Sequence, residues 1–137
     1  MRWLPVFLWA SLIFFLSSFT NPYQALLPKN IQYGNEIHIL NISIQTEKVG
    51  ELSHLFAYIV FGSLIIRTIN LRPHKSAIWL AWGISILSAL SDEFHQLFVP
   101  GRTFQLMDLA VDSFGSLVGI LVYKWIESHQ RNGAHLE

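Results

Sequence analysis

Four stretches of this chain are apolar for long enough to cross a bilayer, and what remains is too poor in charge to coat a water-soluble domain. A membrane-spanning helix needs about 20 mostly apolar residues. The candidates run over about 3–19, 51–69, 76–92 and 106–125, and the first holds no ionisable side chain. Only 13% of the 137 residues are charged, against about 25% in soluble domains. Lipid accepts an apolar exterior, whereas water does not. Trp3, Trp79, Trp82, Tyr123 and Trp125 fall toward span ends, where amphipathic rings favour the interface. These features predict an all-α fold: an integral membrane four-helix bundle, one domain over 1–137, with a longer extracytoplasmic loop between the first two spans.

A cleaved leader behind Arg2 is the competing reading of the first span. Its apolar run is long for that role, and Leu16-Ser17-Ser18-Phe19 has no small-x-small cleavage pattern. The first span is therefore expected to stay, as a lipid-facing wall. Arg2, Arg67, Arg72, Lys75, Lys124 and Arg131 fall on one side of the predicted membrane, and Lys29, Lys48 and Arg102 on the other. That bias predicts both termini in the cytoplasm of a multi-pass membrane protein. In the outer loop, Ile37-His38-Ile39 and Ile42-Ser43-Ile44-Gln45 alternate with period 2, predicting extended backbone. There is no cysteine and no net charge, so no thiol chemistry is available and no basic surface suggests nucleic acid.

The polar residues align along the spans. At about 100° per residue, Asp112, Gly115 and Gly119 lie about +40°, −20° and +20° from Asp108. Two carboxylates and a small-xxx-small pair thus share one stripe, and the glycines allow a neighbouring helix to approach closely. Glu51, His54 and Tyr58 form a similar stripe on the second span. Ser85, Ser88 and Asp92 do so on the third, which ends in Glu93, His95 and Gln96 before Val99-Pro100-Gly101-Arg102 turns the chain. All these faces converge at the outward end. Taken singly, His54 reads as an interfacial residue, Asp92 and Glu93 as a solvated helix end, and the glycines as packing. Asp108 and Asp112 are harder to read so, because a carboxylate within a span costs about 2.5–3.5 kcal/mol and is by default paired or functional.

The run Ser91-Asp92-Glu93-Phe94-His95-Gln96-Leu97-Phe98-Val99-Pro100-Gly101-Arg102-Thr103, followed by Asp108, Asp112, Gly115 and Gly119, closely resembles the signature of the VanZ-like membrane protein family. His54-Leu55-Phe56-Ala57-Tyr58, with Gly62 beyond, is similar to that family's second-span motif, and Ser17-Ser18 sits where members often end their first span. The chain departs from the pattern at Glu51, where many members carry Lys, and at Asp112, where many carry Asn. The resemblance implies a bacterial inner-membrane protein, in a family whose founding member is associated with low-level resistance to the glycopeptide teicoplanin.

Three functions fit these residues. In the first, His54, Tyr58, Glu93, Gln96, Arg102, Asp108 and Asp112 form a binding cluster for a polar head group. Its partners would be membrane lipid, a lipid-linked cell-envelope precursor or a glycopeptide, with Arg102 as a fork for phosphate or carboxylate. In the second, His54, Glu93, Asp108 and Asp112 hold Mg²⁺ or Mn²⁺ for an enzyme acting on a lipid-linked phosphate or sugar. In the third, Glu93, Arg102 and Asp108 latch the helix ends together in an assembly protein. The residues alone leave the cofactor and the catalytic role open.

Overall fold

The computed structural model describes the backbone of residues 1–19, 32–33, 36–39, 42–69 and 75–133, and side chains within 1–19, 52–69 and 76–131. The side chains of Lys48 and Glu51 lie outside the described residues. Four helices carry the architecture: α1 (Leu4–Ser17), α2 (Thr46–Ile69), α3 (Lys75–Gln96) and α4 (Leu106–Gly133). In the longer loop between α1 and α2 lie three short strands, β1 (Gln32–Tyr33), β2 (Glu36–Ile39) and β3 (Ile42–Gln45), in an antiparallel sheet of order β1-β2-β3. The period-2 segments become β2 and β3, paired with Ile37 opposite Ile44 and Ile39 opposite Ile42.

Helix ends follow local chemistry. Pro5 sits in the first turn of α1, where its missing N–H leaves no hydrogen bond unmade. Past α3 the chain reverses through Val99-Pro100-Gly101-Arg102, closed by the Arg102 N–H donating to the Val99 carbonyl at 3.1 Å. Gly101 has φ 80°, the left-handed position that a type II turn needs after proline. Asp108 falls in the first turn of α4, where a carboxylate favours the positive end of the helix dipole.

The α2–α4 pair is the tightest contact. A Cβ at Gly115 would come within 2.7 Å of the Leu55 carbonyl oxygen; one at Gly119 would overlap the Ile59 carbonyl, and one at Gly62 the Ser116 carbonyl. Backbone meets backbone at three points over about two turns, as small residues permit in the absence of a hydrophobic drive between helices. Ser63 Oγ reinforces the seam by donating to the Gly119 carbonyl at 3.0 Å. Two tryptophans pin the other helices: Trp9 Nε1 donates to the Ala57 carbonyl (2.9 Å) and Trp82 Nε1 to the Ser113 carbonyl (3.0 Å).

Apolar and polar residues are distributed inside out. The interior holds Ile65, Ile66, Ala81 and Ile120 toward one end, and buried Asp92, Glu93, Gln96 and Asp112 toward the other. Outside stand Phe7, Leu8, Phe15, Phe56, Trp79, Leu87, Phe114 and Trp125, all exposed. Exposed apolar surface on this scale requires a partner or lipid. α2 over Leu52–Ile69 and α4 over Leu106–Arg131 are long and apolar enough to cross a membrane, while α1 is apolar but shorter. Fourteen residues of α1 span only about 21 Å. α3 is long enough, but Ser85, Ser88, Ser91, Asp92 and Glu93 dilute its apolar character.

Candidate functional site

The polar cluster gathers at one end of the bundle because the helices alternate in direction. α2 and α4 begin there, with His54 and Asp112 each about two turns inside their starts; α1 and α3 end there, with Ser17, Asp92, Glu93 and Gln96.

Asp112 is fully buried on α4 and faces His54 of α2, whose Nδ1 lies 3.4 Å from Asp112 Oδ1 with its side chain 16% exposed. That separation suits an ion pair but exceeds a good N–H···O hydrogen bond, and both Asp112 oxygens and the His54 Nδ1 lack a hydrogen-bond partner. Tyr58, one turn beyond His54, is fully buried. Its hydroxyl lies near Ser88 but has no partner in hydrogen-bonding geometry. The field of Asp112, Asp92 and Asp108 acts on His54, and that of Asp108, Asp112 and Asp92 acts on Glu93. These groups therefore form one electrostatic neighbourhood.

Glu93 and Gln96 project from α3 into this end and are both buried. Glu93 Oε2 accepts a hydrogen bond from the Gln105 backbone N–H at 2.8 Å. Gln105 immediately precedes α4 and its carbonyl receives the Leu109 N–H, so Glu93 caps the neighbouring helix from a distance and leaves Oε1 unpartnered. Gln96 Nε2 donates both to Asp92 Oδ2 at 3.1 Å and to Ser17 Oγ at 3.0 Å. Arg102 follows the turn, half-buried, with its Nε buried and unpartnered. Asp108 is half-buried.

Three features differ from the sequence reading. α1 is more than a lipid-facing wall: Ser17 is buried against Gln96, Ser18 Oγ lies 3.1 Å from His95 Nε2, and Phe14 stacks on His95 with centroids 3.9 Å apart. A span with no ionisable group conceals this, because its two terminal serines read as a span end. Among the described residues Arg102 makes no ion pair with Glu93 or Asp108, so the latch is not formed; Glu93 instead satisfies a helix start that has no partner of its own. Asp92, read from sequence as part of a weakly polar face, is 3% exposed with Oδ1 unpartnered. No three His, Asp or Glu side chains converge to hold a metal among the described residues.

The buried Asp92, Glu93 and Gln96, the proline-glycine turn into Arg102 and the Asp112 stripe on α4 gather at one end of the bundle. The family model described as VanZ/LLP1 matches residues 2–127 of the chain. The protein belongs to the VanZ/LLP1 family. Every site residue named above lies inside the VanZ/LLP1 match, which runs through α1, α2 and α3 and most of α4. Comparison with curated proteins and with solved structures gave no match. VanZ/LLP1 membership, together with two helices apolar enough to cross a membrane, suggests a membrane protein.

Proposed function

We propose that this VanZ/LLP1 protein is a four-span protein of a bacterial cytoplasmic membrane that binds the polar head group of an envelope lipid or lipid-linked precursor at the outward end of its bundle. The observation behind this reading is a set of buried polar atoms at that end without a hydrogen-bond partner: Tyr58 Oη, Asp92 Oδ1, Glu93 Oε1, Arg102 Nε and Asp112 Oδ2, beside the His54–Asp112 ion pair. A buried polar atom left without a partner costs about 1–3 kcal/mol. So many in one place are compensated when a ligand supplies the missing donors and acceptors. Hydroxyls and N–H groups would meet the carboxylates, and a phosphate would meet Arg102, whose planar fork suits it.

The orientation follows from charge. Arg67 ends α2, and Lys124 and Arg131 pair with Glu127 on the last turns of α4, all at the end away from the cluster. Cationic residues favour the cytoplasmic side, which supports a reading with both termini inside and the cluster outside. A protein holding a precursor head group there would change what a glycopeptide encounters, and this is where the reading meets the teicoplanin association of the family.

Native mass spectrometry of the detergent-purified protein tests the proposal. Wild type is expected to retain a lipid with a polar head group, and Glu93→Ala and Asp112→Asn to lose it while keeping their helical circular dichroism. Wild type that carries no specific lipid ends the reading. Orientation is tested separately, by labelling cysteines introduced at positions 40 and 73; reaction of position 73 from outside refutes it.

A further inference from the structure

Between α1 and α3, with α2 behind, lies a cleft of about 360 Å³. Ser11 and Phe14 line it from α1, Ser88, Ser91 and Asp92 from α3, and Tyr58 from α2. Ser11, Phe14 and Ser91 are exposed, whereas Tyr58 and Asp92 are buried. The cleft therefore opens sideways between two helices and deepens toward two unsatisfied polar groups. Its volume is near the lower end of the about 300–1,000 Å³ of small-molecule sites, which suits a head group rather than acyl chains.

The chemistry of the lining selects the kind of head group. Asp92 is the one ionisable acid lining the cleft, and its Oδ1 has no partner in hydrogen-bonding geometry, with the Ser17 hydroxyl nearby. Its other oxygen is held by Gln96, a neutral partner. The nearby imidazoles are engaged elsewhere: His54 faces Asp112, and His95 stacks on Phe14 and meets Ser18. Among the described residues Asp92 makes no ion pair. Beside it the Tyr58 hydroxyl and the hydroxyls of Ser88 and Ser91 add acceptor lone pairs, and Phe14 and Tyr58 add aromatic faces that favour a cation. A carboxylate, hydroxyls and rings without a fixed cation complement an ammonium group and repel a phosphate.

We propose that this cleft admits, laterally from the bilayer, a primary ammonium group that donates to Asp92 and Tyr58. This names the ligand chemistry of the head-group reading above and rests on it. A primary amine is selected over a quaternary one because the open valences are acceptors, which need N–H donors; a trimethylated nitrogen has none. An ethanolamine lipid and an amino sugar on a lipid carrier both present this group.

The test offers detergent-purified protein equal amounts of phosphatidylethanolamine, phosphatidylcholine and phosphatidylglycerol with the same acyl chains, and native mass spectrometry counts the lipids retained. A charge-assisted hydrogen bond corresponds to about tenfold or more in affinity, so wild type is expected to favour the ethanolamine lipid by about that factor. Asp92→Asn reduces the preference to parity. Ser11→Trp does the same by filling the mouth of the cleft while leaving the Asp92, Gln96 and Ser17 hydrogen bonds in place, so a folding defect at Asp92 cannot account for the result. Free ethanolamine and free glucosamine are added as competitors. Competition by both, or by ethanolamine alone, assigns the amine to a phospholipid head; competition by glucosamine alone assigns it to a sugar. Equal retention of phosphatidylcholine and phosphatidylethanolamine overturns the amine inference and leaves the head-group reading standing. Retention of no lipid overturns both.

Discussion

Adding one methyl group at Gly119 tests the packing of the bundle most directly. An alanine there places its Cβ against the Ile59 carbonyl of α2, and the obstacle is backbone, so no side-chain rotation relieves it. Overpacking costs about 1–3 kcal/mol, and the upper end applies where two helix backbones must separate. Separation also strains the Ser63–Gly119 hydrogen bond, worth about 0.6 kcal/mol between membrane helices. Against this, alanine gains about 1 kcal/mol over glycine in intrinsic helix propensity. The net is a destabilisation of about 2–3 kcal/mol. Gly83 of α3 is the matched control: a Cβ there meets nothing within 4 Å, so Gly83→Ala gains the propensity alone, about 1 kcal/mol of stabilisation. The assay is reversible unfolding in mixed micelles titrated with a denaturing detergent and followed by circular dichroism. If Gly119→Ala and Gly83→Ala shift the midpoint in the same direction by similar amounts, the close α2–α4 seam is refuted.

Three further outcomes follow from the geometry. Gly101→Ala, at φ 80°, forces a side chain into the left-handed region at about 1–2 kcal/mol and lowers the thermal midpoint, whereas Thr103→Ala in the same loop leaves it unchanged. Gln96→Leu removes the donor shared by Asp92 and Ser17 and strands a buried carboxylate oxygen, costing about 1–3 kcal/mol; hydrogen exchange is expected to accelerate in α1 and at the end of α3 before anywhere else. Glu93→Gln keeps an acceptor for the Gln105 N–H and stays within about 1 kcal/mol of wild type, while Glu93→Ala frays the start of α4, read as faster amide exchange over residues 105–109.

The positions of the helices were legible because lipid solvation demands long apolar runs, and the turn was legible because proline followed by glycine leaves few alternatives at Pro100 and Gly101. The stripe on α4 was also readable, since helical geometry alone places Asp112, Gly115 and Gly119 on one side, and all three are buried. The partner surface was not. Gly62 carried no periodic signal of its own, and only contact with Ser116 shows why a side chain is excluded there. The pairing of polar groups was the least legible. Arg102 is close in sequence to Glu93 and Asp108, and opposite charge suggests a bridge, but the capping demand of α4 takes the Glu93 oxygen first. Ser17 and Gln96 are separated by most of the chain, and no pattern within α1 announces that its last turn ends against a buried amide.

The two sides of the bundle are joined by different forces. α2 and α4 meet chiefly through close-packed backbone, with the Ser63–Gly119 hydrogen bond added. α1 buries only Val6, Ile13 and Ser17 and is moored chiefly by hydrogen bonds, from Trp9 to Ala57, from Gln96 to Ser17, and from Thr68 to the Arg2 carbonyl. Such bonds hold firmly where water is scarce and yield where it can compete. The same helix walls the sideways cleft, so the bonds that moor it also fix the width of the cleft, and they are strongest where lipid keeps water away.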